Sequence, residues 1–221
     1  VLINPTSEDE WLERVQRIRN DPWEFLKVVK TLDPADKKNP VKPFPVYLDY
    51  LKLYVRLWEK EPMILIPKSR RMKMSWVNIA LYTWDATFHI GRHDAFVSKK
   101  EDDSHDLVKK SDFILENLDK EQLPKEFIPK WELTYCKLSL HETNSIIQGF
   151  ASGADQLRQF TFSGILADEA AFWEDAEKMY SASIPTLEGG GRMTVVSSPG
   201  PGFFKRLVHD ELDLSTTSGS L

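Results

Sequence analysis

Cysteine, glycine, long apolar runs and excess positive charge are what this chain has least of. A single cysteine in 221 residues, Cys136, excludes an internal disulfide framework. No charged-then-apolar signal pattern precedes the first helical stretch, so a reducing, cytoplasmic setting is expected. The longest apolar runs are broken by Lys, Arg or Pro before they reach the roughly 20 residues of a membrane-spanning helix, and a soluble protein without membrane contact is expected. Lys and Arg number 29 against 34 Asp and Glu, a net charge of -5. The chain as a whole is therefore no electrostatic glue for nucleic acid, and any DNA contact must come from a local basic surface or from several copies acting together.

What is present is enough apolar material, 41% of residues with 11% aromatic, for one sizeable core. The N-terminal part reads as helical: Ser7 caps, Glu10 completes a capping box, and Trp11, Val15 and Ile18 recur on one face. Asp21-Pro22 opens a second short helix. Residues 33–45 carry four prolines and mixed charge and read as an extended connection. Tyr47, Leu51, Tyr54, Val55 and Trp58 then trace another helical stripe.

From Met63 the texture alternates: MILI, a helical stretch from Trp76 to Phe88, DAFVS, and an amphipathic stretch through Leu107, Ile114, Leu115 and Leu118. Short apolar runs alternating with helices imply a parallel sheet flanked by helices. ELTYCKLSL, a turn at 141–144 and SIIQGFA read as a strand pair inserted before the next core strand. FSGILADE and MTVVSSP complete about five core strands. The expected division is a helical segment and Pro-rich connection over 1–45, a core over 46–210, and a polar linker or cut end over 211–221.

The stretch IPKSRRMKMSW, 66–76, joins a strand to a helix and has the length of a phosphate-binding loop. Such a loop needs backbone N–H groups at a helix N-terminus, a cation for the phosphates and a hydroxyl for magnesium. Laid on G-x-x-x-x-G-K-[ST], Lys68 takes the first glycine position, Lys73 the second, Met74 the lysine and Ser75 the hydroxyl. A thioether cannot replace an ammonium. Lys68 can deliver the charge from the other end of the loop, and Lys73 is the rival cation. A basic strand-to-helix turn that binds no nucleotide accounts for the same residues.

Asp168-Glu169 ends the strand in TFSGILADE, at the edge of a parallel sheet where ligands gather. Asp168 is expected beside a hydrated magnesium shared with Ser75, and Glu169 is expected to polarise the attacking water. A solvated turn is the plainer account of two acids ending a strand. Ser197, Ser198 and Pro199 follow the last strand where a γ-phosphate sensor would sit, or form an ordinary Pro-Gly turn.

The order and phrasing of these elements, from about Phe44 to about Phe204, resemble the N-terminal ATPase domain of the large terminase subunit of tailed bacteriophages. KSRRMKMS resembles the deviant Walker A of the lambda-like branch, K-S-x-R-x-G-x-S, through Lys68, Ser69, Arg71 and Ser75, and departs from it at Lys73. LRQFTFSGILADEAAFW is similar to the family's Walker B region, and SSPG to its coupling motif. The resemblance implies an ASCE-type P-loop NTPase of α/β class that uses ATP and Mg2+. It also implies a nucleotide site drawn from Lys68, Ser69, Met72, Lys73, Met74, Ser75 and Trp76, with Arg70 or Arg71 as sensor. Arg158 then acts on a neighbouring subunit's nucleotide, and Tyr47 stacks on the base, unless it simply packs in its helix. The implied partners are double-stranded DNA, a portal protein, a small terminase subunit and further copies in a ring, in the cytoplasm of an infected bacterium and transiently docked on a procapsid. Nuclease activity, which the family carries in a separate domain, is not expected. A helicase-type translocase and a decayed nucleotide-binding or structural module are the rival readings.

Overall fold

A computed structural model describes residues 5, 7–153 and 157–209, so the polar 211–221 tail lies outside the described residues. Helix α1, Glu8–Asn20, starts where expected: the Ser7 hydroxyl accepts the Glu10 N–H at 3.3 Å, and acidic residues fill the first turn. Asp21 caps α2, Pro22–Leu26, by accepting the Trp23 N–H. Residues 33–45 are not simply an extended connection. Strands β1, Lys30–Leu32, and β2, Val41–Pro43, pair antiparallel, and Asp36 braces the turn between them through the Lys38 and Asn39 N–H groups and an ion pair to Lys42. Asp and Asn turns of this local kind depend on side-chain bonds that hydrophobic periodicity does not reveal.

Helix α3, Asp49–Lys60, buries Leu51, Tyr54, Val55 and Trp58, whereas Tyr47 precedes the helix and is 79% exposed. Strand β3, Met63–Pro67, leads through the loop into α4, Met74–Phe88, followed by β4, His93–Ser98, and α5, Glu101–Asn117. ELTYCKLSL breaks at Tyr135–Cys136 into β5, Trp131–Thr134, and β6, Lys137–Leu140, with Cys136 at φ 55°. Strand β7, Ser145–Ala151, pairs antiparallel with β6 but parallel with β4, so it is the fifth parallel strand and not half of an inserted pair. Strand β8, Gly164–Asp168, then helix α6, Ala176–Glu188, strand β9, Arg192–Ser197, and helix α7, Phe203–Val208, complete the order.

The seven-stranded sheet runs β3-β9-β8-β4-β7-β6-β5, parallel from β3 to β7 and antiparallel beyond. Side chains alternate between its faces. Phe96, Leu166 and Val196 point to the core shared with α2–α5, while Ala95, Val97, Ile165, Ala167, Met193 and Val195 point to a second core with α6 and α7. Strands buried on both faces read as continuous apolar runs, which is why GILA and TVV carry no polar alternation. Helix α4 is enclosed between the sheet and the N-terminal helices and buries Asn78, Thr83 and Thr87 along with its apolar residues. Its Trp84 indole N–H donates to the Ile18 carbonyl at 2.9 Å, satisfying an acceptor at the end of α1 and tying that helix to the core. No helix among the described residues is long and apolar enough to cross a membrane.

Candidate active site

Parallel pairing places the carboxyl ends of β3, β9 and β8 at one edge of the sheet, with β9 between the strand that leads into the loop and the strand that ends in acids. The Lys68 N–H donates to the Ser197 carbonyl at 2.9 Å, extending the β3–β9 ladder into the loop. From there the loop crosses to α4, and its side chains reach the acids over the end of β9. The Ser75 hydroxyl donates to Asp168 Oδ1 at 3.2 Å. The Lys68 ammonium, 10% exposed, donates to Glu169 Oε1 at 2.6 Å. Ser198 donates its backbone N–H to the other Glu169 oxygen at 3.1 Å, and its hydroxyl lies 3.4 Å from Oε1. Ser197 is fully buried and differently engaged: its hydroxyl accepts the Ala171 N–H at 3.0 Å and donates to the Ser198 carbonyl. Pro199 lines a separate apolar cavity with Pro67 and Phe204.

The glycine-free loop has a conformational answer. Lys73, at the second glycine position, caps α4 with φ 57°, and Arg71 sits at φ 66°, so the backbone takes left-handed turns with side chains in place. Lys68, at the first glycine position, is not among the positive-φ residues. Met74 is 5% exposed and belongs to the core, so the position that ordinarily carries a phosphate lysine faces inward. The Tyr50 hydroxyl donates to the Met72 carbonyl at 3.1 Å and braces the loop from α3.

A cavity of about 440 Å³ opens over the loop, large enough for a small organic ligand. Ser69, Met72, Ser75 and Trp76 line it; Trp76 also meets Phe113 edge-on at 5.8 Å. Four cations, Lys68, Arg71, Lys73 and Lys110, face a single acid, Asp33, on its wall. Arg70 is exposed and outside that wall, as is Tyr47. Arg158 is exposed on the wall of another cavity, of about 640 Å³, between Trp173–Ser181 and Pro201–Arg206, which shares no residue with the first. Residues 154–156, in the segment leading to Arg158, lie outside the described residues.

The two acids differ in their electrostatics. Burial pushes the Asp168 carboxyl above the ordinary aspartate value, with Lys68 opposing and Glu169 adding to it. Burial also pushes Glu169 up, but the Lys68 ammonium and the Ser198 donors outweigh it and leave that carboxyl below its ordinary value. Glu169 itself sits at φ 53°, a left-handed residue where the strand turns into the Ala170–Phe172 single turn. Non-glycine residues in that region cluster at functional sites. Among the described residues no group of three or more His, Cys, Asp or Glu forms a metal cage. The hard oxygens of Ser75 and Asp168 instead fit Mg2+, which keeps waters and substrate phosphates in its shell.

Three contributors to the site are not singled out by sequence pattern: the β1–β2 hairpin, which walls the cavity with Leu32 at the end of β1 and Asp33, Pro34 and Ala35 of the turn, Tyr50, and Lys110. The signal for Lys110 is positional, since it falls between Leu107 and Ile114 at the edge of the apolar stripe of α5, where a cation is out of pattern.

A parallel sheet, a strand–loop–helix with cations and a hydroxyl over its edge, and an acid pair two strands away make up the P-loop ATPase fold. No protein-family model matches the chain, and no curated protein matches it. Among solved structures it is similar to the large terminase ATPase domain of Thermus phage P74-26, with TM-score 0.54 and 18% identity over 66% of this chain and 63% of that one. An arginine-to-alanine mutant of the same domain matches with TM-score 0.53 and 14% identity over 70% and 66%. The large terminase of bacteriophage HK97 matches with TM-score 0.59 and 11% identity, over 90% of this chain but 41% of that one. The chain thus spans about two thirds of the first two and well under half of the third, and it has the fold of the terminase ATPase domains.

Proposed function

We propose that this chain is the ATP-hydrolysing motor domain of a viral DNA-packaging terminase, coupling Mg-ATP hydrolysis to translocation of double-stranded DNA into a procapsid. The observation that carries the reading is the pair of contacts across β9: Ser75 on Asp168, and Lys68 on Glu169. These contacts bring a hydroxyl, a cation and two carboxylates together at the carboxyl ends of the parallel strands, the set that Mg-ATP hydrolysis draws on.

In this reading Ser75 and Asp168 hold the magnesium, which when bound neutralises charge on the β- and γ-phosphates. The N–H groups at the start of α4 and the Lys68 ammonium take the phosphates. Drawing Lys68 onto the γ-phosphate breaks its pair with Glu169, leaving that carboxylate held by Ser198 and available to orient and polarise the attacking water. Ser198, bonded to Glu169 and adjoining Ser197 and Pro199, passes the state of the γ-phosphate to β9 and onward. Arg71, on the cavity wall, is better placed than Arg70 as the loop's sensor. Arg158, facing a different cavity, serves a neighbouring subunit in a ring; a portal protein and a small terminase subunit complete the assembly.

The test is steady-state ATP hydrolysis with Mg2+, with and without double-stranded DNA, for the wild type and Glu169→Gln. Turnover is expected in the wild type, and a loss of roughly 10²- to 10⁴-fold in the variant, with Mg-ATP binding nearly intact. Undiminished turnover in Glu169→Gln removes Glu169 from the chemistry. The Lys68–Glu169 pair also fits a decayed module in which the two groups merely neutralise each other. Nucleotide binding without turnover in the wild type, DNA present, decides for that module.

A further inference from the structure

Helix α5 passes beside the first turn of α4. Its Phe113 meets Trp76 edge-on at 5.8 Å, and Lys110 lies one turn earlier on the same face, so its stem runs toward the loop. Lys110 is partly buried and lines the 440 Å³ cavity together with Lys68, Lys73 and Ser75. Among the described residues it makes no ion pair, whereas its neighbour Lys109 is exposed and paired with Asp106 at 2.5 Å. A long cation held against apolar surface, with Asp168 and Asp106 acting on it only through space and neither bonded to it, is costly unless something anionic visits it. The other cation nearest the acids, Lys68, is already bonded to Glu169.

We infer that Lys110, from outside the loop, is a second phosphate-binding cation of this site, reaching the γ-phosphate end of a bound nucleoside triphosphate. The inference rests on the nucleotide-binding reading above. The γ end is chosen because Lys110 shares the cavity wall with Lys68 and Ser75, and those two side chains are bonded to Glu169 and Asp168, the acids assigned to the attacking water and the metal. The core-facing Met74 supplies the complementary reason: the charge missing from the usual lysine position is replaced from α5 as well as from Lys68.

The experiment measures the affinities of Mg-ATP and Mg-ADP for the wild type, Lys110→Ala, Lys110→Met, Lys110→Arg and Lys109→Ala. A charge-assisted contact to phosphate is worth about 1.5–3 kcal/mol, so Lys110→Ala and Lys110→Met are each expected to weaken Mg-ATP about 10- to 100-fold. Mg-ADP is expected to weaken much less, Lys110→Arg to keep most of the affinity, and Lys109→Ala to match the wild type. Loss in Lys110→Ala with full affinity in Lys110→Met shows that only the stem matters and overturns the charge role. Equal losses for both nucleotides overturn the γ assignment. Wild-type binding that is unchanged in every Lys110 variant overturns this inference alone, whereas a wild type that binds neither nucleotide overturns the functional reading together with it.

Discussion

Lys73 holds a left-handed backbone that an L side chain adopts at a cost of roughly 1–2 kcal/mol, and it does so at the position a phosphate loop ordinarily gives to glycine. Glycine loses more entropy on folding, about 0.5–1 kcal/mol, so the two effects largely offset each other. Lys73→Gly is therefore expected to leave stability unchanged or raise it by up to about 1 kcal/mol, and the β-branched Lys73→Val to lower it by about 1 kcal/mol or more. Urea unfolding of the three proteins checks this; a clear loss with glycine would mean that the Lys73 side chain, not its backbone, matters to the fold. Asp168 shows a different trade. Its folded carboxyl titrates above the ordinary value of 3.8, so the folded state binds the proton more tightly than the unfolded chain. Stability from that preference is complete below the unfolded value and is lost as pH rises through the folded one, leaving a penalty at neutral pH. Asp168→Asn is expected to melt higher than the wild type at pH 7.5 without nucleotide, with the advantage shrinking toward pH 4, yet to gain less from added Mg-ATP. A lower melting temperature at pH 7.5 would show that the carboxylate is held by more than Ser75.

At the scale of elements, α4 decides what each loop residue can do, because the helix is enclosed from its first turn and its phase sends Met74 inward and Ser75 toward the acids. Met74→Ala is expected to act as a core truncation, costing about 2–5 kcal/mol of stability while the remaining folded protein still binds nucleotide. Lys68→Ala is expected to do the reverse, abolishing nucleotide binding at little cost in stability, since its bonded partner Glu169 is partly exposed and keeps its Ser198 donors. The pair of variants separates the two effects through melting curves and a binding titration. Mild behaviour of Lys68→Ala alongside complete loss in Lys73→Ala would assign the phosphate cation to Lys73 instead.

For the whole molecule, Arg158 lines a cavity separate from that of the loop, and the proposed reading assigns it to a neighbouring subunit's site. An arginine supplied in trans to a transferring phosphate is worth roughly 10³- to 10⁵-fold in turnover, against little for a surface ion pair. Mixed assemblies of Arg158→Ala and Glu169→Gln subunits, each inactive alone, are expected to recover partial hydrolysis, because some interfaces join an intact Glu169 to an intact Arg158. Assemblies proven to contain both subunits that stay inactive at every mixing ratio would assign Arg158 a role within its own subunit.

Local chemistry made much of this legible in advance. The Ser7 and Asp21 caps, the apolar runs of β3, β4, β8 and β9 and the periodicity of α3, α4 and α5 are encoded within a few residues, and the sequence by itself determined a parallel sheet with a basic loop and an acid pair at strand ends. It did not determine which strand lies between them. Strand order is set by pairing between segments far apart in the chain, and only the tertiary structure put β9 there, bringing Ser198 to Glu169 across 29 positions and Lys68 to Glu169 across 101. The break at Cys136 and the turn of 33–40 escaped pattern reading because they depend on a single positive φ and on side-chain bonds to the backbone. Lys110 escaped for the converse reason: a lysine on an amphipathic helix reads as solvated, and only the packing of Phe113 against Trp76 turns that face toward the cavity.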